Sequence, residues 1–417
     1  MEVRSRLWFT VLAALALAGC GGGGGGGAVS GADAATNAPP HDSAASSGPE
    51  AGPDAFVRTE GGPFGLAARP DRQTCKAPAS DSVAADRLSA TGCVDPADPK
   101  KPAPGLIPYE VTSPLWSDGA DKQRFLALPD GALIHVKDCT REPATCKPAS
   151  QGGSPDDEGH FQLPVGTVLV KSFLFGGKFL ETRLFVRLAD DNLLGRLRHN
   201  WRGYSYEWND AQTEATLVPD TGRQKTITNS MGGMQSWSFP ARNDCTECHN
   251  ETVGSSLGLE TRQLDRMVKY PTGVTASQLD TLEHLGVFDA PVARLPPLVD
   301  FRPGMSSASV EERARSYMHA NCGICHRPEG MYSDIDLRAG VPLAKMNVCN
   351  ASPNKGNLSV SGALRVAPGD PAHSVMVLRM QALDKDSGRM PQLATSVLDP
   401  VGIGLVSDWI KGITSCP

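Results

Sequence analysis

Apolar positions follow three patterns along the chain, and each predicts a different kind of element. Near the N-terminus, Arg4 and Arg6 precede an unbroken apolar run from Leu7 to Ala18. A positive segment before a short apolar core predicts an export signal, too short for a comfortable spanning helix. In the middle of the chain, short β-branched and aromatic stretches recur between Gly and Pro. Thr167 to Phe175, the turn Gly176-Gly177-Lys178 and Phe179 to Leu188 predict a β-hairpin. Arg124–Leu128, Ala132–Val136 and Ser205–Trp208 are further strand candidates. Short strands separated by such turns predict a sandwich or barrel. Toward the C-terminus the apolar spacing changes to three and four. Ser309 with Glu312 forms a capping box, and Val310, Ala314 and Tyr317 follow on one face. Asp370-Pro371 opens a helix carrying Val375 and Leu378. Asp399 and Pro400 open another with Val401, Leu405, Trp409 and Ile410. A shorter helix is expected from Ser277 to Leu285. The expected fold class is therefore α+β and multidomain: a β-rich sandwich or barrel followed by an all-α domain.

Composition sets the boundaries. Seven glycines, Gly21 to Gly27, are followed by mostly Ala, Ser, Gly, Pro and Asp as far as residue 56. Such a stretch buries too little apolar surface to offset its conformational entropy. Residues 1–19 are read as signal and 20–70 as a flexible tether with a reach on the order of 40 Å. A β-rich region, 71–236, a segment at 237–300 and the helical region 301–417 complete the division. The net charge of −6 excludes a nucleic-acid binder that works through a basic surface. Beyond the N-terminus no apolar run is long enough for a multi-span membrane protein.

The chemistry resides in the 11 cysteines. Cys245-Thr246-Glu247-Cys248-His249 and Cys322-Gly323-Ile324-Cys325-His326 are each a C-x-x-C-H, the attachment signature of c-type haem. The two thiols add to the porphyrin vinyl groups, and the adjacent His249 or His326 supplies the proximal nitrogen. A Cys₄ zinc site or a thioredoxin-like pair would use the C-x-x-C alone. Neither accounts for a histidine directly after both pairs. Two covalently bound haems c are the expected cofactors. Cys75, Cys93, Cys139, Cys146, Cys349 and Cys416 remain. An even remainder in an exported chain reads as disulfides. Proximity in sequence suggests Cys75–Cys93 and Cys139–Cys146, leaving Cys349–Cys416.

Three resemblances extend this reading. Leu17-Ala18-Gly19-Cys20 resembles the lipobox of bacterial lipoproteins, which implies cleavage before Cys20 and its lipidation. Gly21 in place of an acidic residue favours the outer over the inner membrane, by that analogy. The region from 301 onward resembles a class I cytochrome c. Its helix precedes C-x-x-C-H, and the loop Arg389-Met390-Pro391 precedes the last helix. The resemblance implies Met390 as the distal ligand, with Met376 and Met380 as alternatives. The first haem segment has no Met-Pro loop; Met267, Met234 and His284 are its candidates, and an open sixth position is another. Finally, Ser113-Pro114-Leu115-Trp116-Ser117-Asp118, Pro164-Val165-Gly166-Thr167-Val168-Leu169-Val170-Lys171, Glu181-Thr182-Arg183 and Trp237-Ser238-Phe239-Pro240 up to Cys245 are similar to a family of exported bacterial haem proteins. There a β-rich region precedes the haem segment and no biochemical activity is settled.

The expected function is single-electron transfer between redox proteins in a Gram-negative envelope, by a lipid-anchored, periplasm-facing dihaem protein. No catalytic residues are expected. A haem enzyme of the peroxidase or oxidase kind, or the electron-accepting subunit of a dehydrogenase, is the alternative. A third reading makes the β region a binding module. Asp118, Lys122, Glu181 and Arg183 on the strands read as solvated charges or cross-strand pairs.

Overall fold

The computed structural model describes residues 63–78, 84–137, 159–193, 196–198, 200–229, 233–383, 388–393 and 395–417. Cys20, Cys139 and Cys146 lie outside them. Ala55–Pro417 form one compact unit. In chain order the strands are β1 (Ile107–Pro108), β2 (Asp121–Ala127), β3 (His135–Val136), β4 (Phe161–Gln162), β5 (Val168–Phe175), β6 (Lys178–Arg187) and β7 (Asp191–Leu193). They continue with β8 (Arg196–Arg198), β9 (Trp201–Trp208), β10 (Ala215–Leu217), β11 (Arg223–Thr228), β12 (Met234–Phe239), β13 (Met267–Lys269) and β14 (Thr275–Ser277). The helices are α1 (Asp244–Cys248), α2 (Thr261–Leu264), α3 (Gln278–His284), α4 (Val310–Asn321), α5 (Val375–Gln381) and α6 (Pro400–Gly412).

The main sheet has the order β1-β2-β5-β6-β9-β10, and every pairing in it is antiparallel. Its centre is the hairpin that the β-branched and aromatic runs around Gly176-Gly177 predict. Gly176 and Gly177 take φ of 53° and 76°, the left-handed values a two-residue hairpin turn needs. One face packs Val168, Val170, Leu184, Val186, Tyr204 and Trp208 into a core that also holds the Cys75–Cys93 disulfide. At the opposite face, Leu169 and Phe185 pack on Leu259, Leu264 and Leu279 of the segment that follows the first C-x-x-C-H.

The β-rich region is as expected; the all-α C-terminal domain is not. Among the described residues fourteen strands stand against six α-helices, and about 20% of residues are helical. An α+β chain ending in an all-α class I cytochrome c domain is therefore not its fold class. The physical reason lies between α4 and α5. Residues 327–370 are dense in Gly, Pro, Asn and Asp, which favour turns over helix. Their apolar side chains, Leu337, Met346, Val348 and Val366, join the core from irregular backbone held by isolated bridges such as Cys349↔Val366.

The helix-start signals themselves are in place. The Ser309–Glu312 capping box is formed in both directions. Asp399 accepts from the Gly402 amide with Pro400 in the first turn. Asp370 caps a single 3₁₀ turn, Pro371–His373, before α5 begins. Helix α6 lies directly on α4, because Gly402 has no Cβ to meet the Tyr317 ring. Cys349–Cys416 is a disulfide, closing the C-terminus onto this core. Among the described residues no helix is long and apolar enough to cross a membrane.

Candidate functional site

Both C-x-x-C-H motifs sit where helical backbone ends against the sheet. Helix α4 delivers the second: Cys322 follows its last residue, and the His326 amide donates to the Cys322 carbonyl at 2.9 Å. Helix α1 carries the first, with the His249 amide on the Cys245 carbonyl at 2.9 Å. All four thiols are outside disulfides.

A cavity of about 480 Å³ is bounded by Cys322, Cys325 and His326 on one side and by the sheet and the loop at residues 115–118 on another. Met390, Met376 and Met380 line it together, and the Met390 amide donates to the Arg379 carbonyl at 2.9 Å. Ile335, Leu337, Val348 and Phe173 add apolar wall. Cys248 of the first motif opens into the same cavity. The volume lies within the roughly 300–1,000 Å³ of cofactor-sized sites. Two thiols, an imidazole, thioethers and an apolar lining fit a c-type haem at the second motif. Nδ1 of His326 is buried with no hydrogen-bond partner among the described residues.

The first motif is built differently. The Cys245 sulfur rests on Gly203 of β9, where a Cβ would overlap it. The His249 ring packs on Phe185 at 4.2 Å between centroids. Its Nδ1 donates to the Ser255 carbonyl at 2.7 Å, which leaves Nε2 as the nitrogen with a lone pair for a metal. Burial pushes the imidazole down to about 3, so it is neutral, the form that ligates. None of the three distal candidates lines the cavity. Met267 and Met234 are exposed. His284 stacks on Phe64 and meets the Ala67 carbonyl at 2.9 Å.

Alternatives for the motifs fit less well. Burial pushes the thiols up, Cys322 to about 12 and Cys248 to about 11, the opposite of the depressed values of redox pairs. Among the described residues no three His, Cys, Asp or Glu side chains converge as a metal site.

Sequence reasoning missed what holds the cavity together. Asp118, with φ of 53°, is 4% exposed rather than solvated. Its carboxylate accepts from the Ser396 amide and hydroxyl, both at 2.8 Å, and from the Val397 amide at 3.0 Å. The Trp116 amide donates to Asn321 Oδ1 at 2.6 Å, and its indole donates to the Val397 carbonyl at 3.2 Å. One short loop thus ties the residue before Cys322 and the Met390 loop to the sheet. Glu181 is fully buried, bidentate with Arg183 on its own strand at 2.7 and 2.9 Å, and accepts from the Trp237 indole at 3.0 Å. The motif loops also touch: Arg327, 2% exposed, donates to the Thr252 carbonyl at 3.2 Å. Buried His319 accepts from the Ala339 amide on Nδ1 at 3.2 Å, so its Nε2 donates to Glu260 at 2.9 Å. The clustering of charged and aromatic residues at 113–118, 181–183 and 237–240 was the only sequence signal for any of these contacts.

No family model, curated protein or solved structure matches this chain.

Proposed function

We propose that the chain is a dihaem c-type cytochrome that passes single electrons in the bacterial envelope. Cys245 and Cys248 would carry one haem with His249, and Cys322 and Cys325 the other with His326. Met390 would complete the second iron. With a thioether from Met390 and the His326 imidazole both holding it, a haem there would favour the reduced iron and leave no open position for substrate. The protein's own part is to exclude water, fix the imidazole and keep the methionine in reach. The observation that carries this reading is the shared cavity, into which the second motif, Met390 and Cys248 all open. A lipid on Cys20 would hold the body at the periplasmic face, more readily of the outer membrane than of the inner. Its acidic character suits docking to a basic redox partner, weakening with salt.

The location of Met234, Met267 and His284 away from the cavity favours a second reading, an open iron at the first haem with ligand or peroxide chemistry. A pyridine haemochrome assay tests the cofactors: two haems per chain are expected, and a value near one would retract the first motif. Spectra of the oxidised protein with cyanide, CO and peroxide then separate the readings. Two low-spin haems inert to all three support electron transfer; a ligand-binding haem with peroxide turnover replaces it with the enzyme.

A further inference from the structure

The sheet face above the cavity has an electrostatic imbalance. The register places Arg124 on β2 opposite Lys171 on β5, and Lys171 opposite Arg183 on β6. Three cations therefore stand side by side across three strands, an arrangement that repels when nothing anionic is interleaved. The two outer ones are compensated. Arg124 pairs with Glu110 at 3.3 Å, and Arg183 with Glu181. Nearby Lys122 donates to the carbonyls of Leu115 and Ala120 at 2.9 and 3.1 Å.

Lys171, in the centre, has no ion-pair or hydrogen-bond partner among the described residues; its ammonium lies 5.2 Å from the Phe173 ring centroid. It lines the cavity beside Arg183 and Trp237. Burial pushes it well below the ordinary lysine range, Arg124, Lys122 and Arg183 push the same way, and Glu181, held by Arg183, opposes them more weakly than any of these acts. The carboxylates that line the cavity are engaged elsewhere, Asp118 by Ser396 and Val397, and Asp334 by Arg365 at 2.8 Å and Asn354 at 2.8 Å. An ammonium desolvated among cations costs several kcal/mol unless an anion joins it.

We infer that Lys171, with Arg183 beside it, forms a carboxylate-binding site that takes a propionate of a haem held in this cavity, which Cys248, Cys322 and Cys325 all line. This rests on the dihaem reading above. The sheet then neutralises the acidic edge of a cofactor whose covalent bonds are all made by another segment. Removing a cation beside the porphyrin carboxylates favours the oxidised, more positive iron, so Lys171→Gln should lower that haem's potential.

The inference is tested on the purified holoprotein. With Lys171→Gln, we expect two haems per chain and an unchanged far-red Met–iron band. The propionate bending band in the resonance Raman spectrum should shift. The equilibrium constant for reducing one haem, and not the other, should fall about tenfold, about 59 mV for a one-electron couple. Lys171→Arg should restore the potential. An unmoved propionate band and unmoved potentials in Lys171→Gln would overturn the inference. So would their movement in Lys355→Gln, at the exposed rim of the same cavity, in place of Lys171→Gln. Should Lys171→Gln not mature, Lys171→Arg decides: a shifted propionate band with both haems attached supports the site, and an unmoved band removes it. Wild-type protein without haem would instead sink the dihaem reading itself.

Discussion

A single carboxylate decides whether the methionine loop can stay closed. Asp118 accepts from the amides of Ser396 and Val397 and from the Ser396 hydroxyl, which also meets the Ser236 carbonyl on β12. Asp118→Ala leaves two backbone amides to find new acceptors, a cost of about 2 kcal/mol. We expect lower stability in urea and loss of the far-red Met–iron band while both haems remain attached; a retained band would show that Met390 does not depend on this anchor. At this scale the sequence was legible in part. Both C-x-x-C-H motifs and Met390 stand out in the sequence, and the structure brings the second motif and Met390 to one cavity. The charges on the strands were not legible. Asp118 and Glu181 read as solvated or cross-strand charges because Ser396, Val397 and Trp237, which bury them, lie at distances along the chain that no local pattern encodes. Asp118 meets residues 278 and 279 positions away.

Local signals at the ends of elements proved readable because they are chemically self-contained. The Gly176-Gly177 turn, the Ser309–Glu312 box and the Asp399-Pro400 start each depend on residues within three positions. Ser309→Ala should cost about 1 kcal/mol, read as a lower thermal midpoint, since the first turn of α4 loses its acceptor. What lies between elements was less legible. Periodicity before and after residues 327–370 suggested an all-helical domain, but those residues join the core through turns and single bridges. Elements also meet at glycines whose role only packing defines. Gly203→Ala places a methyl where the Cys245 sulfur lies. We expect a haemochrome value falling toward one haem per chain with the Met–iron band retained. Two fully attached haems would place the first cofactor away from β9.

For the molecule as a whole, stability depends on closing long loops. Cys349–Cys416 joins residues 67 positions apart, and Cys75–Cys93 joins residues 18 apart. Loop-closure entropy assigns about 4 kcal/mol to the first and about 3 kcal/mol to the second. Replacing both cysteines of each pair by serine should therefore lower the urea midpoint more for the C-terminal pair. The reverse order would mean that the C-terminus is held mainly by α4 and α6. Alkylation without reduction should leave the four described disulfide cysteines unlabelled.

The loop at residues 113–118 has a further consequence, for the order of events during biogenesis. It grips Asn321 and Val397, so the cavity closes only once residue 397 has folded back on the loop. Cys322 lines that cavity, and on the proposed reading its sulfur would react with a vinyl group on a bulky planar molecule. Attachment would then come before closure, while the segment around Cys322 is still open. The main sheet, made from an earlier part of the chain, can be waiting as a finished surface, and the segment around Val397 would act as the latch that seals the second motif against it.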